Sequence, residues 1–482
     1  MLPVQLTRLL DGDPAGLGEA LELVTGLDEA LVHGLARLAE ERAAALTALA
    51  DAFALTPLGE GLAEATAKIT AGSITEESLT TLAGGRAALL GAVHDALLTD
   101  LDAALGRERD TWQEAAPAAG ADDTGNPLGA ARSWLCELAI TGWRGVDHGL
   151  VSAADQVIEA LLTVPGHRRP AVLLDGLAAE LRASCPVGTM ERLPVRRWAD
   201  LWTRALLLTG AGARQPEPFE PSEPSEPSEL SGPSGPSKLS GRLLILGVDV
   251  HEHSTAVQAQ VHGVLEPAGG GRVRLVRVSV AAAKVDTIAG PAVWKLLHRH
   301  PRLLGALAER RGLDITDMPV LAGGDLVWDD SRARAGEPAD PFAVARLRLA
   351  GVLAPAVPPL DRHPVRIAEP VLVEGYKVTA DGSFDLGDVV LTVDAGLLPA
   401  CGPLTPKLVA GSSACVGLVR WDDGRWLLQP LAVQTKVKRE TLDVHTGDWA
   451  LGPTDPKVVK AEARTGDAVT ILRERAGRLL RR

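Results

Sequence analysis

The sequence predicts a multidomain protein with an N-terminal all-α helical bundle, a flexible Pro/Ser/Glu linker and a C-terminal β-rich domain. Three observations predict this division. Residues 27–54 carry leucines at helical spacing, residues 217–240 repeat proline at every third position, and later residues alternate between apolar and polar. We therefore divide the 482 residues into a helical domain 1–213, a linker 214–241 and a β-rich domain 242–482.

Leucine spacing and turn residues define the helices of the first domain. Leu27, Leu31 and Leu35 recur at four-residue steps with charged residues between them, which is the pattern of a helix with one buried face. Glycine and proline residues separate the later helical stretches. These stretches are 128–140, 147–163, 170–183 and 191–209.

The segment 217–240, EPFEPSEPSEPSELSGPSGPSKLS, excludes regular helix and strand because proline removes backbone donors at short intervals. Proline at every third position favours extended polyproline-II segments. Such a segment can be bound as a P-x-x-P ligand, but a repeat this regular is typical of a spacer. We interpret it as a tether between two bodies that fold separately and need no fixed mutual orientation.

Alternating runs predict a mainly antiparallel α+β domain after the tether, because the strands follow one another without intervening helices. The clearest hairpin is GLVRWDDGRWLLQPLAV. Its Asp423-Gly424 pair is a two-residue turn signal, and Trp421 is placed to face Trp426 across the strands. One amphipathic helix is predicted near 291–312.

The net charge of −13 at pH 7 is unevenly distributed. Residues 1–214 carry 17 Lys and Arg against 29 Asp and Glu, whereas residues 242–482 carry 31 against 28. An acidic surface repels phosphate backbones, so nucleic-acid binding is not expected of the N-terminal half. The nearly neutral C-terminal half neither favours nor excludes it.

The chain shows no targeting or membrane signal. It does not begin with a basic stretch followed by an apolar run, and it contains no run of about 18 apolar residues. Cys136, Cys185, Cys401 and Cys415 lack C-x-x-C spacing and are expected to be buried, inert thiols. We expect a cytoplasmic protein without membrane contact, and the Ala-, Leu-, Arg- and Gly-rich composition indicates a bacterial source.

The strongest candidate for chemistry is the run Asp249-Val-His251-Glu-His253. On a strand, alternate residues share a face, so Asp249, His251 and His253 would project together, about 6–7 Å apart, as a possible metal site. The run resembles the D-x-H-x-H first-strand motif of amidohydrolase-type metal enzymes, which implies a divalent metal such as zinc. That family's barrel also needs an alternation of strands and helices that is missing here. A polar strand face is the competing interpretation.

Arginine and tryptophan concentrate in the last helix of the first domain, within ERLPVRRWADLWTRALLL. Arg196, Arg197, Trp198 and Trp202 have the composition of a protein-binding hot spot. The spacing of Trp198 and Trp202 also suits a helix that closes the bundle core. Core packing is favoured for the tryptophans, and protein binding is the alternative.

Several catalytic signatures are absent from the sequence, including G-x-S-x-G, G-x-x-x-x-G-K-[ST] and H-E-x-x-H. The sequence therefore favours a non-catalytic scaffold or adaptor of a bacterial multi-protein system, with other proteins as partners and no cofactor. A metal-dependent hydrolase using the strand at 249–253 is the alternative function.

Limited proteolysis of the full chain is expected to cut first within residues 217–240, because proline-rich backbone without a core is open to proteases. Mass spectrometry of the earliest fragments measures the position of the cut. A first cut inside either flanking half would contradict the tether interpretation.

Overall fold

The computed structural model describes residues 3–10, 12–112, 126–210, 237–253, 255–321, 323–387, 389–437, 440–465 and 469. The predicted linker lies outside the described residues as far as residue 236. The sequence pattern assigned residues 237–241 to the linker, but they already belong to a long strand. Their backbone pairs with a later strand at Ser237↔Val320 and Gly241↔Ile315. Ladder hydrogen bonds need no apolar side chains, so alternation alone placed the start of the β half too late.

The N-terminal half is helical, as predicted. Its α-helices are α1 Pro3–Leu10, α2 Leu17–His33, α3 Glu40–Asp51, α4 Gly59–Thr70, α5 Glu76–Leu105, α6 Asn126–Thr141, α7 His148–Leu162, α8 Arg168–Ser184 and α9 Val195–Thr209. The leucines of residues 27–35 share one core with helices α3 to α9. Trp143, Trp198 and Trp202 are the largest fully buried side chains in that core. The rings of Trp143 and Trp198 meet edge to face with centroids 6.0 Å apart.

Within the part of the chain that the structure describes, the first sheet contains one strand from the helical half and seven from the β half. Its strands are β1 Glu108–Arg109, β2 Ser237–Glu252, β3 Ala256–Pro267, β4 Arg274–Ala283, β5 Arg311–Val320, β6 Asp325–Leu326, β7 Ala333–Pro338 and β8 Leu353–Ala354. They are arranged in the order β1-β8-β4-β3-β2-β5-β6, and β7 pairs with β5. Because β6 pairs with both β5 and β4, this sheet closes on itself.

The second sheet follows in the chain. Its strands are β9 Ala368–Glu374, β10 Lys377–Val378, β11 Phe384–Asp385, β12 Val390–Val393, β13 Ser412–Asp422, β14 Arg425–Val437 and β15 Glu440–His445. The predicted hairpin is confirmed as β13–β14, with Trp421 opposite Trp426. Asp423 and Gly424 both have positive φ, 50° and 72°, as a tight two-residue turn requires. Antiparallel pairs dominate both sheets, and the parallel pairs β1–β8, β4–β6, β4–β8 and β12–β14 make them mixed.

The single helix predicted near 291–312 is wrong in its extent. The structure has a 3₁₀ segment, Gly290–Leu297, followed by the α-helix α10, Pro301–Glu309. Proline disfavours helical geometry in the residue before it, and His300 accordingly adopts φ −118° and ψ 56°. Among the described residues, the β half also contains three later α-helices. These are α11 Pro341–Arg348, α12 Pro406–Ala410 and α13 Pro456–Thr465.

The second sheet is the middle layer of the molecule. On β9, Leu372 belongs to the core shared with the first sheet, whereas Val371 and Val373 belong to the core shared with the helical half. The latter core includes Leu97 and Leu101 of α5. One strand thus contributes alternate residues to two apolar interfaces, as strand geometry dictates.

The helical half and the β half are therefore packed together. Besides the shared core, β1 leaves the end of α5 and pairs in parallel with β8 at Glu108↔Leu353. This arrangement differs from the expectation that the two halves need no fixed orientation. That expectation was based on the proline-rich segment, whose composition carries no information about surfaces that meet elsewhere.

Leu97→Ala is expected to lower the free energy of unfolding by about 2–5 kcal/mol, because it leaves a cavity where α5 meets the second sheet. Leu347→Ala is the control, since Leu347 is 73% exposed and its loss should stay within about 0.5 kcal/mol. Urea unfolding followed by tryptophan fluorescence measures both values. Equal losses in the two variants would contradict the shared core.

Candidate functional site

Asp249, the first residue of the candidate metal motif, lies on β2 and is 1% exposed. Its neighbours in the strand point into the core of the first sheet, so Asp249 points the other way, toward the second sheet. Its carboxylate accepts hydrogen bonds from Arg420 Nη2 at 2.6 Å and Gln429 Nε2 at 2.7 Å. His251 Nε2 lies 2.8 Å from the same carboxylate.

These contacts keep Asp249 ionised. Burial raises the pKa of Asp249, but the hydrogen bonds and charges of His251, Arg420 and Gln429 outweigh it and lower the pKa to about 2. A carboxylate with a depressed pKa stabilises the fold above its ordinary pKa of 3.8, and this contribution is lost as the pH falls toward 2. The pKa of Arg420 lies below its ordinary value, because burial lowers it by more than the neighbouring Asp249 carboxylate raises it.

The structure brings together two of the three predicted metal ligands. His251 contacts Asp249, whereas His253 follows the end of β2 and its Nδ1 lies 3.2 Å from Thr255 Oγ1. Among the described residues, no group of three or more His, Cys, Asp or Glu side chains is arranged to hold a metal ion. The guanidinium of Arg420 beside the Asp249 carboxylate also repels a cation there.

His262 lies on β3 opposite Arg277 of β4 and is 1% exposed. Burial lowers its pKa to about 3, and the nearby charge of Arg277 acts in the same direction. The ring is therefore neutral at pH 7. The sequence gives no signal for this arrangement, because Arg277 lies on a different strand from His262.

The predicted protein-binding residues of α9 divide between core and surface. Trp198 and Trp202 are fully buried, and the indole N–H of Trp202 donates to the Leu135 carbonyl at 2.9 Å. Arg196 pairs with Asp422 of the β half. The side chain of Arg197 is 62% exposed and binds Glu180 of α8. The tryptophans occupy the bundle core, and the two arginines are the residues of this set that solvent or a partner can reach.

A buried ionic cluster, here called the Glu369 network, joins the two halves. It consists of Asp102 in the last turn of α5, Arg107 between α5 and β1, Arg109 of β1 and Glu369 of β9. Arg107 Nη1 donates to Glu369 at 2.9 Å, and Arg109 Nη2 donates to it at 2.8 Å. Arg109 also binds Asp102, with Nε 2.7 Å from a carboxylate oxygen.

The Glu369 network is balanced in charge, with two arginines and two carboxylates. Burial raises the pKa of Glu369, but Arg109 and Arg107 outweigh it and lower the pKa below its usual value. Local sequence patterns do not reveal this network, since Arg107 and Glu369 are 262 positions apart. The dense charge of GRERD at residues 106–110 was its one local signal.

A second ionic cluster, here called the Arg86 network, runs from the bundle core to the β half. Arg86 is 1% exposed and binds Asp28 and Asp200, each at 2.7 Å. Asp200 in turn lies 3.1 Å from His363 Nε2 in the β half. A buried cation between two carboxylates thereby links α2, α5 and α9 to the segment before β9.

The buried cysteines do not form reactive thiols. Burial raises the pKa of Cys401 to about 12 and also raises that of Cys415, so both stay protonated at neutral pH. Cys136 and Cys185 are half-buried, and burial raises their pKa as well. None of the four takes part in a disulfide bond.

Comparison of the chain with protein-family models, curated proteins and solved structures gives no match. Within the described residues, no helix is long and apolar enough to cross a membrane. The fold and the ionic clusters above are therefore the basis for a functional proposal.

The free energy of unfolding is expected to fall as the pH decreases from 6.5, because the unfolded chain protonates His262 near pH 6.5 while the folded chain resists protonation down to about pH 3. One proton corresponds to about 1.36 kcal/mol per pH unit. Between pH 6 and pH 4.5, the free energy of unfolding of His262→Gln should therefore depend less steeply on pH than that of the wild type, by up to this amount per pH unit. Urea titrations at several pH values measure the slope, and an unchanged slope would contradict a neutral, buried His262.

Proposed function

We propose that this chain is a non-catalytic scaffold or adaptor of a bacterial multi-protein system in the cytoplasm. The observation that carries the proposal is that its buried charged side chains bind one another and thereby join the two halves of the chain. In the Glu369 and Arg86 networks, arginines and carboxylates bind one another across the boundary between the helical half and the β half. Such contacts fix the relative position of the layers, which suits a protein that holds partners in place.

Two further observations support a role without catalysis. The thiols of Cys401 and Cys415 have pKa values raised by burial, which disfavours the thiolate that a nucleophile needs. Asp249 is held as an ion by Arg420, Gln429 and His251, so it has no proton to donate to a substrate near neutral pH.

Other proteins are the proposed partners. Arg197, with its side chain 62% exposed on α9, can donate to a partner carboxylate in place of Glu180. The acidic excess of residues 1–214 disfavours nucleic acid for this half. The nearly neutral β half leaves nucleic acid as a weaker candidate there.

A metal-dependent hydrolase remains the second candidate function. One observation favours it, because the half-exposed His251 contacts the buried Asp249, and a carboxylate that orients an imidazole is a common feature of general bases. The donors Arg420 and Gln429 weigh against it, since they occupy the carboxylate that a metal would bind. The scaffold proposal therefore ranks first.

Affinity capture with the tagged full chain in its source organism is expected to enrich specific proteins that bind the purified chain directly. Arg197→Glu should weaken binding of such a partner about tenfold or more, equivalent to ~1.4 kcal/mol, if α9 is the contact surface. Arg182→Glu is the matched control, because Arg182 of α8 is also an exposed arginine paired with a carboxylate. Isothermal titration with the purified partner measures the change.

The scaffold proposal is overturned if the purified chain hydrolyses a simple ester, phosphoester or amide and His251→Ala abolishes the turnover. Stoichiometric zinc, manganese or iron in the purified chain, with a melting temperature that drops under chelator, would favour the hydrolase instead. Unchanged melting under chelator and no turnover agree with the scaffold.

A further inference from the structure

Three arginines converge on one carboxylate oxygen where the helical half meets the β half. Arg366 Nη1 lies 2.9 Å from Asp361 Oδ1, Arg204 Nη2 lies 3.2 Å from it, and Arg169 Nη2 lies 3.7 Å from it. Arg169 belongs to α8 and Arg204 to α9, whereas Asp361 and Arg366 lie between β8 and β9. We call this group the Asp361 arginine cluster.

The Asp361 arginine cluster has an excess of positive charge, unlike the Glu369 network. Asp200, another carboxylate whose charge is felt by Arg204 and Arg366, is hydrogen-bonded to Arg86 and His363. Burial, together with the charges of Arg366 and Arg169, lowers the pKa of Arg204 to about 10. Holding three guanidinium groups around one carboxylate is unfavourable unless further negative charge compensates them.

The first turn of α8 adds to this positive charge. Arg168 and Arg169 begin the helix, the turn contains no acidic residue, and its N-cap His167 makes no capping hydrogen bond through its side chain. The N-terminus of a helix already has a partial positive charge, so arginines there are unfavourable by themselves. An anion bound beside Arg169 would reduce the repulsion among the three guanidinium groups. It would also reduce the repulsion between Arg169 and the N-terminus of α8.

We infer that the Asp361 arginine cluster binds a dianionic phosphoryl group, as free phosphate or as a small phosphate ester. Arginine matches phosphate oxygens with paired N–H donors, which favours this class of ligand over a monovalent anion. The side chains of Arg169 and Arg366 are 35% and 42% exposed, so a ligand can reach them from solvent.

The bound phosphoryl group would connect the two halves. Arg169 and Arg204 would hold it from the helical half, and Arg366 from the β half, while Asp361 competes for the same donors. Ligand binding would therefore strengthen the boundary between the layers. This inference does not depend on the scaffold proposal, since the cluster would bind phosphate whatever the rest of the protein does.

Isothermal titration of the purified full chain with inorganic phosphate tests the inference, against sodium chloride at equal ionic strength. We expect saturable binding with one phosphate per chain and a dissociation constant that rises at least tenfold in Arg169→Gln and in Arg366→Gln. The control Arg182→Gln, on the same helix α8 but paired with Asp155, should bind as the wild type does.

Asp361→Asn separates ligand binding from a structural role of the cluster. Removing the competing carboxylate should tighten phosphate binding several-fold, whereas a purely structural ion pair would give a less stable protein without added affinity. A parallel titration with AMP identifies the source of the phosphoryl group. Tighter binding of AMP than of phosphate indicates an ester, and equal or weaker binding of AMP indicates the free ion.

The inference is overturned if the wild-type chain shows no saturable binding of either phosphate or AMP. It is also overturned if Arg169→Gln and Arg366→Gln bind as tightly as the wild type. Weaker binding by a folded Asp361→Asn, checked by circular dichroism, would overturn it as well.

Discussion

The structure depends on one buried carboxylate, Glu369 of β9. Arg107 and Arg109 bind it from the helical half, and Arg107 Nη2 also donates to the Pro370 carbonyl at 2.9 Å. Arg109 Nη1 donates to the Pro355 carbonyl, just after β8. A single cluster thus fixes the end of α5, an edge of the first sheet and β9 of the second sheet. Since removing one member of a buried ion pair costs about 3–5 kcal/mol, alternative arrangements of the layers are strongly disfavoured.

Apolar packing and ionic contacts have different roles at this boundary. The core that Leu97 and Leu101 share with the second sheet provides the favourable free energy of association, because it removes apolar surface from water. The Glu369 and Arg86 networks add little net stability, because their charges must also be taken out of water. Their directional contacts instead select one orientation among the many that an apolar surface would accept.

Whether a charged group is paired between the layers also decides whether it is available to a ligand. Asp249 was the best candidate for chemistry in the sequence, yet its contacts with Arg420 and Gln429 join the two sheets. Charges that hold layers together are not available to a metal ion. The Asp361 arginine cluster is different, because its positive charge exceeds what one carboxylate can balance, and two of its arginines reach solvent.

Local patterns by themselves determined the helical character of the first half, the β-rich character of the second and the Trp421–Trp426 hairpin, because periodicity and turn chemistry depend on residues a few positions apart. They also put Asp249 and His251 on one strand face, where the structure has them in contact. Only the tertiary structure decided that the halves share a core and that Arg107 binds Glu369. Opposite charges occur throughout this chain, so sequence cannot select a pair separated by 262 positions; packing of the layers makes that selection.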